Sequence, residues 1–163
     1  IVVFNSFHNE KKNLTVLKLK KYMKNNNSTI KLRPVKMADC SFLYDMLKER
    51  DPKVNISHKK MPSFTQHEKF VRSKPYFKWY IIEESNNDVG SIYLTNNDEI
   101  GIFLKNKIQG KGIGVQVLKL LFDKYPRCRY LANVNPKNKQ SAQFFKNNGF
   151  RLIQHTYEFE KIL

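Results

Sequence analysis

The chain has 163 residues, and its 30 Lys and Arg exceed its 14 Asp and Glu to give a formal net charge of +16. A hydrophobic content of 40% can build one core, which excludes a wholly disordered chain, and this length suits one domain rather than two. No apolar run approaches the roughly 20 residues of a membrane span, and the 2 cysteines lie far apart without a Cys/His cluster, so we expect a cytoplasmic protein with no membrane contact, no disulfide scaffold and no metal site.

Residues 1–28 form a basic, weakly amphipathic stretch that ends in the polar run Asn25–Ser28. Such a run is typical of a linker. We therefore expect residues 1–28 to be an N-terminal extension or the tail of an upstream unit, and residues 29–163 to form one domain. The chain does not begin with Met and its first residues do not resemble a signal peptide, which favours a fragment or a processed product.

The first half of the domain predicts one strand and two helices. Alternation over Ile30–Val35 predicts the strand, and a helix follows with apolar residues at helical spacing, Phe42, Leu43, Met46 and Leu47. A loop is expected over 51–63. The run Thr65–Glu68 matches a capping box, so a second helix is predicted to begin there and to turn Phe70 and Val71 inward.

The second half begins with β-structure and continues with helices. Three β-rich runs, over 77–83, 89–94 and 99–104, are joined by turns rich in Asn and Asp and predict an antiparallel meander. A helix follows, with apolar residues at Ile113, Val117, Leu118 and Leu121. A short strand over Tyr130–Val134, a helix over about 137–147 and a closing run over 150–159 complete a mixed α/β order of elements.

The segment Gln109–Gly114 combines three glycines with the start of a helix. Glycine lets the backbone approach a ligand closely, and the free N–H groups of a first helical turn attract an anion. The segment matches neither a Walker loop nor the GxGxxG of dinucleotide-binding proteins. We interpret it as a phosphate cradle, and the alternative is a glycine-rich turn without a ligand.

With this segment the chain resembles the acetyl-CoA-dependent N-acetyltransferases of the GNAT superfamily. Gln109, Gly112 and Gly114 satisfy the family's Gln/Arg-x-x-Gly-x-Gly/Ala loop. A second family motif follows at Asn138, Ser141, Phe145 and Gly149–Phe150. The resemblance covers about 29–157 and implies the GNAT fold, in which helices flank a central, splayed, mostly antiparallel sheet, with the pantetheine arm of acetyl-CoA between the strands of Phe103 and Val134.

The resemblance also implies which residues hold acetyl-CoA. Backbone groups near Phe103 and Leu104 would hold the pantetheine arm, the amides of 110–114 would take the diphosphate, and Asn138 would reach the pantetheine. The residues expected to contact the co-substrate are Phe103, Leu104, Gln109, Gly110, Lys111, Gly112, Ile113, Gly114, Asn138, Ser141 and Phe145.

Phe145 departs from the family pattern, because many members place a tyrosine there whose phenol protonates or stabilises the departing thiolate. A phenyl ring cannot do this. A water, Ser141 or a backbone donor would then take over that task. Phe145 therefore also keeps open the alternative that the chain binds acyl-CoA without catalysis.

Acyl transfer to an amine needs an amine without its proton, a donor for the charge that develops on oxygen, and a route for the proton. The expected donor is a backbone N–H at Phe103 or Leu104. The candidate bases are His67, Glu99, Glu84 and Tyr80. The alternative for each of them is an ordinary solvated or core position.

Arg50, Pro52 and the run Ser63–Phe70 resemble the GNAT subgroup that acetylates the 4-amino group of UDP-linked amino-sugars, as in the pathway of pseudaminic acid. This resemblance favours His67, and ribosomal-protein acetyltransferases share parts of the pattern. Positive charge spread along the chain suits a nucleotide-sugar, and we expect no nucleic-acid partner. The alternative acceptor is a protein N-terminus or lysine, and the chain is expected to be a monomer or a homodimer.

Overall fold

The computed structural model describes residues 29–51, 60–157 and 159. The expectations for residues 1–28 lie outside the described residues, and so does most of the loop predicted over 51–63. Among the described residues, no helix is both long enough and apolar enough to cross a membrane.

The described chain contains four strands, four α-helices and two short 3-10 helices. The strands are β1 Ile30–Pro34, β2 Lys78–Glu84, β3 Asn87–Leu94 and β4 Ile100–Leu104. The α-helices are α1 Cys40–Lys48, α2 Phe64–Arg72, α3 Ile113–Lys124 and α4 Lys139–Asn147. The 3-10 helices are Met37–Asp39 and Asn106–Ile108.

The four strands form one antiparallel sheet in the order β1-β2-β3-β4. A two-residue turn joins β2 to β3, and its residues Ser85 and Asn86 both have positive φ, at 49° and 67°. That backbone matches the twist of a tight hairpin, and Asn tolerates it well. The predicted meander and the mixed α/β fold class, with helices around a mostly antiparallel sheet, are therefore confirmed.

The two faces of the sheet pack against different helices. Tyr80, Ile82 and Ile92 belong to a core that includes the buried side of α3. Ile81, from the same strand but the opposite face, packs with Leu43 of α1 and Val71 of α2. Because side chains alternate along a strand, a continuous apolar run such as Trp79–Ile82 can fill both layers.

The helix predicted to begin at Thr65 begins instead at Phe64. Ser63 is its N-cap: the Ser63 hydroxyl accepts from the Gln66 amide, and the Gln66 side chain accepts from the Ser63 amide. The predicted capping box at Thr65–Glu68 was therefore wrong by two residues. Val71 is buried as expected, but Phe70 is 38% exposed, because neighbouring residues on a helix point about 100° apart.

The strand predicted over Tyr130–Val134 was also wrong. It is reduced to one parallel bridge between Glu99 and Leu131, in which the Ile100 amide donates to the Leu131 carbonyl. Beyond this bridge the chain separates from β4 and a cavity lies between them. The following helix begins at Lys139 rather than at 137, because the side chain of Asn138 caps it. The described part of the closing run has no regular structure.

Candidate active site

A cavity of about 1600 Å³ opens where β4 loses its pairing with the following chain. We distinguish two parts of its wall. The loop half consists of Gln109–Gly114 with the beginning of α4. The aromatic half consists of Arg50, His67, Tyr76, Trp79, Tyr93 and Phe103. Among the described residues, no group of three or more His, Cys, Asp or Glu could hold a metal ion.

The loop half has the backbone of an anion site. Gly110 and Gly112 have φ of +78° and +73°, a conformation that L side chains rarely adopt. Gly112 directly precedes the 12-residue helix α3, and its carbonyl accepts from the amides of Val115 and Gln116. The first amides of a helix have no acceptor within it. Ile113 and Gly114 line the cavity at this end of the helix dipole, so the loop half suits a phosphate group.

Gly114 also allows α3 and α4 to approach closely. A Cβ at this position would lie 2.9 Å from Cε2 of Phe144, which is closer than side-chain carbons pack. The third glycine of the motif is therefore explained by helix packing, whereas Gly110 and Gly112 are explained by their backbone angles.

Backbone alternation in β4 decides which of its N–H groups face the cavity. The Lys105 amide donates to the Val89 carbonyl, and the Thr95 amide donates to the Glu99 carbonyl. The backbone N–H and C=O groups of Lys105, of Glu99 and of every second residue between them therefore face β3. Phe103 pairs with Ser91 in this set, and its N–H is used inside the sheet. Leu104 belongs to the other set and faces the open edge, where its carbonyl accepts from Nε2 of Gln109 at 3.0 Å.

Stacked rings form the aromatic half. Tyr76 lies parallel to Tyr93 with 3.9 Å between ring centroids. The ring of Tyr93 crosses Gly101, where any Cβ would overlap it. The guanidinium carbon of Arg50 lies 3.4 Å from the ring centroid of Phe103. Burial lowers the pKa of Arg50 to about 10, while the nearby Tyr93 and Tyr76 favour its charged form, so Arg50 carries its charge at neutral pH.

Three buried polar atoms of the aromatic half have no hydrogen-bond partner among the described residues. They are Nε of Arg50, Nε2 of His67 and Nε1 of Trp79. A buried polar atom without a partner costs free energy, so such atoms are rare in folded proteins unless a ligand or water meets them. All three residues line the same cavity, so a polar ligand or an ordered water bound there would supply the missing partners.

His67 lies in the second turn of α2 and is only 4% exposed. Burial is the largest influence on its pKa; a backbone hydrogen bond with Cys40 opposes it, and the charge of Arg50 acts in the same direction as burial. The pKa of His67 therefore lies below its ordinary value of 6.5, and the ring is neutral at physiological pH.

Glu99 also lines the cavity, at the bridge before β4. Its carboxylate accepts from Nδ2 of Asn133 at 2.9 Å and from the hydroxyl of Thr95 at 3.5 Å. Neutral donors thus hold Glu99 at the cavity wall, and it remains a second candidate base.

The other predicted site residues divide into those at the cavity and those away from it. Asn138, Ser141 and Phe145 line it together with the loop, but Lys111 is exposed and does not. Tyr80 lies on the face of the sheet opposite the aromatic half, and its hydroxyl contacts that of Tyr125. Glu84 ends β2 opposite Ile30 and is likewise remote from the cavity.

Sequence analysis did not identify Tyr76, Tyr93 or Gln140 as site residues. The first two meet because the segment before β2 places Tyr76 against Tyr93 of β3, a tertiary contact that no local pattern reveals. Arg50 was noticed as part of a subgroup pattern, without a role. A partly buried arginine just after a helix has no sequence signature by which it differs from a surface arginine.

Comparisons with known proteins agree with this geometry. The family model of the acetyltransferase (GNAT) domain matches residues 29–151, and no curated protein matches the chain. Among solved structures, the chain is similar to a domain from Methanocaldococcus jannaschii DSM 2661, with 22% identity and a TM-score of 0.68 over 81% of this chain and 94% of that one.

Two further solved structures are similar to the chain. One is an acetyltransferase from Thermus thermophilus, with 20% identity and a TM-score of 0.65 over 77% of this chain and 89% of that one. The other is the ribosomal L7/L12 α-N-protein acetyltransferase RimL in complex with coenzyme A, with 20% identity and a TM-score of 0.62 over 77% and 82%. At these identities the similarity shows a shared fold.

Proposed function

This chain belongs to the GNAT acetyltransferase family and is an acetyl-CoA-dependent N-acetyltransferase, and from that premise we propose that its acceptor is a primary amine bearing an anionic group. The acceptor that we propose is the 4-amino group of a UDP-linked amino-sugar in surface-glycan biosynthesis. The observation that carries the proposal is the partly buried Arg50. Its charge lies over Phe103 and its Nε is buried without a hydrogen-bond partner among the described residues, beside the strand edge that we assign to the thioester.

The loop half fits acetyl-CoA. The amides at the start of α3 are placed for the diphosphate, and exposed Lys111 adds positive potential outside the cavity. Leu104, rather than Phe103, has the backbone N–H that faces the open edge, so we assign the donor to the acetyl oxygen to Leu104. Acetyl-CoA itself supplies an activated acetyl group and a thiol leaving group.

The aromatic half fits an acceptor with hydrogen-bond acceptors and a negative charge. Arg50 and Trp79 each offer one buried N–H without a partner. A guanidinium in a low-dielectric site binds phosphate or carboxylate strongly, and it disfavours a second cation nearby. A polyamine or a lysine-rich peptide would bring such a cation, whereas a nucleotide-sugar brings a diphosphate.

His67 is the base that we assign to the reaction. Its ring is neutral, and unpartnered Nε2 can accept a proton from the ammonium form of the acceptor. Glu99 is the alternative base. Phe145 is buried against Phe144 and Phe150 and has no proton to donate, so we assign stabilisation of the thiolate to the hydroxyl of Ser141, which lines the same cavity.

The proposal is tested by acetyl-CoA thiol release against four acceptors: a UDP-4-amino-sugar, the same sugar without UDP, a peptide with a free N-terminus, and spermidine. We expect release with the UDP-linked acceptor and little with the others. Greater release with the peptide would contradict the proposal in favour of a protein acetyltransferase. Tight binding of acetyl-CoA without release to any acceptor would make the chain a non-catalytic acyl-CoA-binding module.

The variant Arg50→Gln tests whether Arg50 binds the anionic group of the acceptor. We expect KM for the UDP-linked acceptor to rise at least about tenfold, with the affinity for acetyl-CoA unchanged. Arg72→Gln is the matched control, because Arg72 is exposed on α2 and its one ion pair among the described residues is with Glu68 on the same helix. Equal KM values in the Arg50 and Arg72 variants would remove Arg50 from the acceptor site.

A further inference from the structure

A chain of side-chain hydrogen bonds crosses from α4 to β4 beneath the glycine loop. Nε2 of Gln140 donates to Oε1 of Gln109 at 2.9 Å. Nε2 of Gln109 donates in turn to the carbonyl of Leu104 at 3.0 Å and to Oδ1 of Asn106 at 3.2 Å. Gln109 is therefore held on both sides of its amide.

These bonds fix the orientation of the Gln109 amide. The carbonyl of Leu104 and Oδ1 of Asn106 are both acceptors, so the NH₂ group of Gln109 must face them. Its Oε1 then faces α4, where only a donor can meet it. Gln140 supplies that donor from the first turn of α4, two residues after the cap residue Asn138.

Gln109 is the residue at which the backbone leaves the 3-10 helix and enters the glycine loop. Fixing its side chain therefore fixes the start of the loop relative to two elements, the end of β4 and the beginning of α4. The loop is open at Gly110, where no atom beyond the adjacent residues lies within 4 Å of where a Cβ would lie.

We propose that Gln140 is a positioning residue for acetyl-CoA: by holding Gln109 it orders the glycine loop in the form that accepts the diphosphate. This inference rests on the proposed acetyl-CoA site. An ordered loop does not lose its conformational entropy on binding, so affinity rises with no direct contact between Gln140 and the ligand.

The test compares Gln140→Met with the wild-type protein and with Gln143→Met. Methionine keeps the length of the side chain and suits a helix, but it cannot donate. Gln143 is the matched control, because it is an exposed glutamine on the same helix and, within the part of the chain that the structure describes, its side-chain amide donates to Asn147, also on α4. Each protein is assayed with acetyl-CoA and with acetyl-pantetheine, a thioester that lacks the diphosphate.

We expect Gln140→Met to weaken acetyl-CoA binding about threefold to tenfold, which is the usual effect of one lost neutral hydrogen bond, with kcat at saturation unchanged. Kinetics with acetyl-pantetheine should be the same in all three proteins. Equal acetyl-CoA affinity in the Gln140 and Gln143 variants would overturn the proposal, and so would an equal loss with both thioesters, which would indicate a general effect on α4.

The two proposals fail in different ways. If the wild-type protein does not bind acetyl-CoA, the proposed function itself is contradicted. If the wild-type protein binds it and Gln140→Met binds it equally well, only the positioning role is contradicted.

Discussion

His67 combines three properties that a surface histidine lacks. It is buried, its Nε2 has no partner among the described residues, and the partly buried cation Arg50 lies close enough to oppose its protonation. Each of these favours the neutral ring. A neutral imidazole with a free nitrogen is the form that can accept a proton near pH 7.

We predict that His67→Gln lowers kcat about 100-fold, the lower end of what a lost general base costs, and leaves acetyl-CoA affinity unchanged. In the wild-type protein kcat/KM should rise with pH through a midpoint below 6.5, because the deprotonated ring is active and its pKa is lowered. The pH profile of thiol release measures both effects. His155→Gln, at an exposed position, is the control, and an unaltered profile in the His67 variant would transfer the role to Glu99.

At individual residues, the sequence predicted what depends on local spacing. Gln109 and the three glycines were found because a loop next to a helix start binds through backbone that lies close along the chain. The choice between Phe103 and Leu104 was not decided, because it depends on which strand lies beside β4 and in which register. The stack of Tyr93 over Gly101 depends on the same register.

At the scale of secondary-structure elements, the side chain of Arg33 links four of them. From β1 it pairs with Asp39 of the first 3-10 helix at 2.9 Å, with Glu83 of β2 at 2.9 Å and with Asp88 of β3 at 3.2 Å. Its pKa is raised above the ordinary value, chiefly by the hydrogen bond with Asp39 and against the effect of burial. The cluster joins β1, β2 and β3 to the first 3-10 helix, on the side of the sheet that carries α1 and α2.

We predict that Arg33→Met lowers the free energy of unfolding by about 2 kcal/mol, because three carboxylates then lie together without their cation. This value is below that for a fully buried pair, since the cluster is partly open to solvent. Urea denaturation provides the measurement. Arg72→Met removes an exposed pair within one helix and should change stability by less than about 0.5 kcal/mol; similar losses in both variants would contradict the structural role of the cluster.

Some secondary-structure elements were predicted correctly and others were not. The difference depends on whether local sequence or pairing with a distant segment forms the element. The hairpin between β2 and β3 followed from apolar runs around an Asn-rich turn, which is local information. The missing strand at Tyr130–Val134 has a suitable sequence, but among the described residues its pairing on the side of β4 is limited to the Glu99–Leu131 bridge, and a cavity opens beyond it. The start of α2 was misplaced because two overlapping capping patterns occur two residues apart.

For the whole molecule, the net charge of +16 concerns how ligands arrive rather than which fold forms. Both acetyl-CoA and the proposed acceptor carry phosphates, and a field from many scattered lysines draws such anions toward the protein. The specific contacts remain those of the loop half and of Arg50.

We predict that kcat/KM for acetyl-CoA falls severalfold when ionic strength rises from about 0.02 M to about 0.5 M, because salt shortens the range of this attraction. Acetyl-pantetheine, which carries no phosphate, should show little dependence on salt. Steady-state rates at a fixed acceptor concentration measure the difference. The same decline for both thioesters would show that salt acts on the acceptor or on the fold instead.

The open edge of β4 has a consequence for solubility. Backbone groups that lack a partner along a strand are a template on which another polypeptide can add and begin an aggregate. Here the edge is the floor of a cavity between the glycine loop and α4, and Gln109 already covers the Leu104 carbonyl. A narrow, flexible molecule with amide groups can reach this edge, whereas an added strand would have to displace the Gln109 side chain from the Leu104 carbonyl. The recess thus lets the protein keep an incomplete sheet for its ligand without offering it to a neighbouring copy.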